Sequence, residues 1–260
     1  MKTVIVIPSR YHSTRLPGKP LLDIAGEPMV VRVWRRCCAV RGADRVVVAT
    51  DDERIAAVVE KAGGEAKMTA ASHPSGSDRV CEAVAGEECD LVVNVQGDEP
   101  FLDPGAVDKL IDFYRDGGDA PAATLATAMG EAKDLFDPAV VKVLIAEDGR
   151  AVYFSRFPIP FRREMWEVEG TTWRGRAGEA ALLSAGGCYR HLGVYAFRPD
   201  FLRLYTSWRP TPGERAERLE QLRILEHGER IQVIVTDYQG HGVDTPEDLE
   251  RARREAGGRG

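Results

Sequence analysis

With 260 residues, 43% of them hydrophobic and 29% charged, the chain can bury about three quarters of the surface its unfolded form exposes, and it has an ordinary globular composition. Lys and Arg total 35 against 41 for Asp and Glu, a net charge of -6, which argues against a general nucleic-acid coat driven by backbone charge. No stretch approaches the ~18 consecutive apolar residues of a membrane span, because the apolar start at 4–7 is broken by Pro8, Ser9 and Arg10. A soluble, cytoplasmic protein with no membrane insertion is the expectation. Five cysteines, Cys37, Cys38, Cys81, Cys89 and Cys188, form no CxxC pair and read as reduced, small core residues.

Residues 4–7 form a short β-branched run followed by turn residues, the pattern of a strand buried on both faces. A polar loop (9–20) and an apolar patch (21–24) follow, then Pro28 as the first residue of a helix over 29–39. A second buried strand at 45–49 leads to Thr50 or Asp51 as the cap of a helix over 53–62, which Gly63 and Gly64 close. A helix at 78–86 precedes a third buried strand, 91–95, and the loop 96–103. Further strands are expected at 122–128, 140–145, 191–197 and 231–236, with helices at 214–226 and 246–255 and a frayed tail at 256–260. Residues 162–187, with Trp166 and Trp173 but no clear period, read as a mobile or interface segment. The repeated strand, loop, helix order predicts an α/β fold with a doubly wound, mostly parallel sheet, in one domain spanning 1–260. In such a sheet ligands lie beyond the carboxyl ends of the strands.

The loop after the first strand carries Arg10, Arg15 and Lys19 and no carboxylate before Asp23. In an acidic protein that is an anion site, and backbone N–H groups near Gly18 can approach a polyphosphate closely. It is neither a P-loop nor a dinucleotide fingerprint, because Gly18-Lys19 is followed by Pro20 and no GxGxxG is present. After the third strand, Asp98 and Glu99 follow directly on a hydrophobic run, and oxygen ligands at a rigid strand end suit Mg²⁺. Near the other end, Thr245, Pro246 and Asp248 supply a helix cap, leaving Asp244 as a second candidate ligand. A polyphosphate loop and two carboxylates suggest metal-assisted attack on a nucleotide phosphate. Residues 72–79 form a polar turn leading into a helix and offer hydroxyl and backbone groups to a base or ribose; caps and turns explain much of that pattern too.

Read together, the words Ile7-Pro8-Ser9-Arg10, Leu16-Pro17-Gly18-Lys19-Pro20-Leu21, Val48-Ala49-Thr50-Asp51, 73–79, 94–100, Val141-Lys142-Val143, Tyr153-Phe154-Ser155-Arg156, 190–195, 219–223 and 242–249 resemble those of the 3-deoxy-D-manno-octulosonate (Kdo) cytidylyltransferases, in family order over about 3–252. The resemblance implies a nucleotide-diphospho-sugar transferase-like fold in a cytosolic homodimer, with 135–215 as its sugar-binding and dimerisation part. The implied enzyme couples CTP to Kdo with Mg²⁺ and releases pyrophosphate, giving CMP-Kdo for lipopolysaccharide biosynthesis. It also implies triphosphate contacts from Arg10, Arg15 and Lys19, cytidine contacts from Ser75, Gly76 and Arg79, and magnesium ligation by Asp98 and Asp244, with Lys19, Asp98 and Asp244 as the catalytic set. Gln96, Arg156, His191, Tyr195, Glu220 and Gln221 are the implied pocket for the sugar acid.

Residues 164–187 match no family word and look several residues longer than the family pattern, so a related acceptor, 8-amino-Kdo or a nonulosonic acid, is the alternative. Two readings from other classes compete. A glycosyltransferase would need no triphosphate loop, and a silent nucleotide-binding regulator would tolerate loss of Asp98 or Asp244.

Overall fold

The computed structural model describes residues 1–258 except 14, 162, 164, 165, 170, 171 and 176–186. It divides into two compact units, one made of Met1–Asp119, Gly193–Ser207 and Gln239–Gly260, the other of Ala120–Leu192 and Trp208–Tyr238.

The first unit is built on β1 (Thr3–Ser9), β4 (Arg45–Thr50), β5 (Glu65–Met68), β6 (Leu91–Asn94) and the last part of β12 (Tyr189–Phe197), in the order β12-β6-β1-β4-β5. β1 lies parallel to both β4 and β6, with Val4 opposite Arg45 on one side and Val92 on the other. β12 enters antiparallel, Tyr195 facing Asn94. The β-branched run Val4 to Ile7 is buried throughout, as the central strand of a sheet covered on both faces requires. Around the sheet lie α1 (Met29–Cys38), α2 (Glu53–Lys61), α3 (Gly76–Ala83), α4 (Pro104–Arg115), α6 (Pro199–Ser207) and α9 (Pro246–Gly257). A small hairpin, β2 (Asp23–Ile24) and β3 (Glu27–Pro28), precedes α1.

Several ends differ from the sequence reading. Pro28 occupies the cap position of α1 with extended backbone and is not the first helical residue. Asp52, not Thr50 or Asp51, caps α2 by accepting the Arg54 N–H. Asp51 is instead engaged by the Arg79 guanidinium. At the far end of α2, Gly63 has φ +87° and the Gly64 N–H reaches the Val59 carbonyl, the left-handed closure expected of the glycine pair. β5, α4 and α6 have no counterpart in the sequence reading; β5 is a short polar strand paired on one side to β4.

The second unit carries β7 (Ala122–Ala128) parallel to β13 (Ile231–Thr236), and β8 (Lys142–Ile145) antiparallel both to β9 (Ala151–Ser155) and to the first residues of β12. Its helices are α5 (Ala132–Phe136), α7 (Pro212–Glu217) and α8 (Leu222–Glu226). The single helix expected over 214–226 is therefore two, broken at Arg218, which has φ +53°. Within 162–187 the described ladder is β10 (Trp166–Glu169) against β11 (Thr172–Gly175); the rest of that expectation falls largely outside the described residues.

Candidate active site

The loop leaving β1 is shaped at Gly18. This residue has φ +67°, and a Cβ there would sit 3.3 Å from the Tyr11 ring, so any other residue would be strained in this turn. The Gly18 N–H donates to the Tyr11 carbonyl, and Lys19 then opens a single 3-10 turn with Pro20. Below the loop, Leu16 packs with Ile24, Met29, Val243, Leu249 and Ala252 in one apolar cluster. The loop leaving β6 approaches as closely, because a Cβ on Gly97 would lie 2.5 Å from Ser9 Oγ and 3.1 Å from the Pro8 carbonyl oxygen. The third contributor, the segment before α9, is tied to it by the Val243 N–H donating to the Asp98 carbonyl.

These approaches bring Lys19, Asp98 and Asp244 to one point. Lys19 Nζ donates to Asp98 Oδ2 at 2.6 Å and to Asp244 Oδ1 at 2.9 Å, and Arg15 reaches Asp244 Oδ2 at 3.1 Å. Burial works against the charge on Lys19, but the two carboxylates outweigh it and raise its pKa above the ordinary lysine value. Thr245 caps α9, its hydroxyl accepting the Asp248 N–H, and the Asp248 carboxylate closes the box by accepting the N–H groups of Thr245 and Asp244. The Asp244 carboxylate is thus left for the site, as its place before the capping box predicts.

The same point opens onto a cavity of about 380 Å³ lined by Arg10, Arg15, Lys19, Ser75, Gly76, Arg79, Gln96, Asp98 and Asp244. Every residue expected at the nucleotide and the metal lies on it, together with Gln96. Arg10 is exposed and makes no ion pair with a described residue. Ser75 caps α3, its hydroxyl donating to Asp78 Oδ2 and accepting the Asp78 N–H. Arg79 is more constrained than a free ligand contact would be. Buried, it donates to Thr69 Oγ1 at 2.6 Å and to Asp51 Oδ2 at 3.0 Å. His12, Ser13 and His73 also line the cavity without having been singled out as site residues. His73 is held by Glu82, four residues beyond Asp78, a pairing legible only once residues 76–83 are known to be helical.

Asp98 and Asp244 offer hard oxygen donors at one cationic point, the donor set that Mg²⁺ uses when phosphate oxygens and water complete its shell. Among the described residues no group of three or more His, Cys, Asp and Glu side chains forms a metal cage. The two carboxylates therefore fit a magnesium ion shared with a bound phosphate.

The residues expected at the sugar acid are distributed differently. Gln96 and Tyr195 belong to the first unit, where Gln96 Nε2 lies 3.4 Å from both Asn94 Oδ1 and the Gly193 carbonyl, and the Tyr195 ring stacks on Phe197. Arg156, His191, Glu220 and Gln221 belong to the second. Arg156 donates from Nε to the Glu217 carbonyl and from Nη1 to the Pro138 carbonyl, both at 2.8 Å. His191 Nε2 lies 3.0 Å from Thr124 Oγ1, and the ring meets Phe154 edge-on. Burial, aided by the charge on Arg190, pushes the His191 pKa down to about 3, so the ring is neutral at physiological pH. Gln221 is buried, and its Nε2 has no hydrogen-bond partner among the described residues.

Residues 4–231 match the family model described as cytidylyltransferase. The 3-deoxy-manno-octulosonate cytidylyltransferase of Chromohalobacter salexigens is 48% identical over 255 residues, covering 96% of this chain and 95% of the relative. That of Geotalea uraniireducens is 45% identical, covering 96% and 97%. Among solved structures, a CMP:2-keto-3-deoxy-manno-octonic acid synthetase complexed with CTP superposes with a TM-score of 0.88 at 40% identity over 100% of both chains. A 4-diphosphocytidyl-2C-methyl-D-erythritol synthase from Anaerococcus prevotii, 15% identical with a TM-score of 0.60 over 98% of both chains, shares the fold alone. Identity at this level over nearly the full length settles the kinship that the loops of β1 and β6 suggest, and the chain belongs to the 3-deoxy-manno-octulosonate cytidylyltransferase family.

Proposed function

We propose that this chain transfers the cytidylyl group of CTP to 3-deoxy-D-manno-octulosonate, giving CMP-Kdo and pyrophosphate. The observation that carries the reading is the meeting of Lys19, Asp98 and Asp244 on the wall of a cavity also lined by Arg10, Arg15 and Arg79. Arg10, Arg15 and Lys19 take the triphosphate; Ser75, Gly76 and Arg79 take the cytidine. The anomeric hydroxyl of the sugar acid attacks the α-phosphorus in line. The new O–P bond forms as the bond between the α-phosphorus and the bridging oxygen breaks, the electron pair leaves with pyrophosphate, and the hydroxyl proton passes to solvent. Asp98 and Asp244 would hold Mg²⁺, which when bound neutralises phosphate charge and lowers the pKa of a coordinated hydroxyl. Lys19, already seated between the two carboxylates, keeps them together against their mutual repulsion and lies beside the place where charge develops on the leaving group.

Gln96, Arg156, His191, Tyr195, Glu220 and Gln221 are proposed for the sugar acid, within a sugar-binding and dimerisation part at about 135–215. A homodimer fits the second unit, which exposes Val152, Phe157, Phe161 and Val235. No described helix is long and apolar enough to cross a membrane, and a CTP-consuming step of lipopolysaccharide biosynthesis suits the cytoplasm.

The test is pyrophosphate release with Mg²⁺, pairing CTP, UTP, ATP and dTTP with Kdo, 8-amino-Kdo and N-acetylneuraminate, with EDTA as control. Release with CTP and Kdo, abolished by EDTA, is the expected result. Release with CTP and another sugar acid keeps the chemistry and moves the acceptor. No release with any pair rules out the transferase reading.

A further inference from the structure

Lys142, on β8, is fully buried at the residue level, a costly place for an ammonium unless every donor is met. Its Nζ donates to three main-chain carbonyls, those of Asp137 at 3.0 Å, Val140 at 2.7 Å and Arg156 at 2.5 Å. Three donors meeting three acceptors use the hydrogen-bonding capacity of the group completely. Arg156, whose carbonyl Lys142 holds, extends the pattern with its own guanidinium. It donates to the carbonyls of Pro138 and Glu217 at 2.8 Å and, more loosely, to that of Arg218 at 3.4 Å. Glu217 answers by accepting the Arg156 N–H and the Ser155 hydroxyl. Two cations thus tie together the turn at 137–140, the end of β9 and the end of α7.

The end of α7 is where the backbone is strained. Arg218 has φ +53°, a left-handed conformation that costs a non-glycine residue roughly 1–2 kcal/mol and persists only where the surroundings over-determine it. Glu220 and Gln221 follow directly. Their carbonyls accept the N–H groups of Arg223 and Ile224, while Gln221, at the cap position of α8, makes no side-chain cap bond. The clamp fixes the turn from which these two residues start.

We propose that Lys142 is a positioning residue for the sugar acid, its ammonium fixing the end of β9 and, through Arg156, the strained turn that carries Glu220 and Gln221. This rests on the assignment of those residues to the sugar acid. The claim has a pH signature, because burial lowers the Lys142 pKa to about 8, against the opposing pull of Asp137, Glu217 and Asp134 and with the added repulsion of Arg156. Arg190 is its cross-strand neighbour on β12. Above that pH one of the three donors is lost, and the turn loosens.

The test is steady-state kinetics with CTP, Kdo and Mg²⁺ for the wild type, Lys142→Met, Lys142→Arg and Glu220→Gln, from pH 7 to pH 9. A displacement of ~1 Å costs on the order of 10²-fold in a positioned reaction, so Lys142→Met is expected to raise the KM for the sugar acid at least about tenfold at pH 7. The KM for CTP should stay within about twofold. In the wild type the KM for the sugar acid should climb as pH passes 8, and Lys142→Arg, which cannot lose its charge, should flatten that climb. Equal changes in both KM values, or none, for Lys142→Met while Glu220→Gln raises the KM for the sugar acid would overturn the clamp. An unmoved KM for Glu220→Gln would instead remove the sugar-site assignment. Should Lys142→Met fail to fold, identical pH profiles for the wild type and Lys142→Arg overturn the proposal on their own.

Discussion

His191 shows at the scale of one residue how burial turns into a measurable property. Its ring is neutral because the site beside Thr124 and Phe154 gives a charged imidazole too little solvation. The unfolded chain holds a histidine of pKa about 6.5, while the folded one sits near 3. Between these values the unfolded state binds the extra proton, so the stability this residue confers is present above pH 6.5 and is lost as pH falls toward 3. The expected slope is ~1.4 kcal/mol per pH unit from this single group. Urea melts between pH 7 and pH 4 should show His191→Gln losing stability more gently than the wild type by about one proton; parallel slopes would contradict the assignment. Most of the expected residues that line the cavity of the first unit stand out in the sequence because they cluster in the loops after β1 and β6 and at the start of α3. Arg79 could not be placed fully, since its partners Asp51 and Thr69 lie on other elements and only the fold makes them neighbours. For the same reason Lys142 reads in sequence as one polar residue in a strand, and its three carbonyls come from two other segments.

At the scale of elements, the site depends on how closely the loops of β1 and β6 approach. Gly97→Ala would drive a methyl group into Ser9 Oγ and the Pro8 carbonyl, and the Pro8 backbone cannot turn aside as a side chain can. We expect the loops to separate and the KM for CTP to rise by about tenfold or more, with a smaller effect on the sugar acid. A KM for CTP within twofold of wild type would show that the approach is not needed. The buried strands were readable because an unbroken β-branched run between turn residues has few other uses. β5 was not, because Glu65–Met68 carries no apolar run and takes its form from pairing with β4. The break between α7 and α8 was hidden for another reason. The helical pattern of 214–226 continues through Arg218, and the left-handed turn there is fixed by main-chain acceptors that Arg156 engages from a distant strand.

For the whole molecule, the expected doubly wound α/β architecture is present, with β1, β4, β5 and β6 parallel and β12 running against them. The apolar residues exposed on the second unit predict self-association. Phe157, 53% exposed at the end of β9, should report on it. Sedimentation velocity at micromolar concentration should find the wild type dimeric and Phe157→Asp shifted toward monomer, and a monomeric wild type would contradict the dimer.

The central claim is that Asp98 and Asp244 serve the transfer step itself and not the mere retention of nucleotide. It is tested most directly by following CTP, Kdo and Mg²⁺ by phosphorus NMR in the wild type and Asp98→Asn side by side, with CTP affinity measured calorimetrically for both. The account predicts pyrophosphate and a single CMP–sugar phosphodiester from the wild type. Asp98→Asn should turn over on the order of 10²-fold more slowly while binding CTP within a few-fold. Turnover by Asp98→Asn near the wild-type rate would contradict the assignment, and so would a loss of CTP binding that alone accounts for the lost rate.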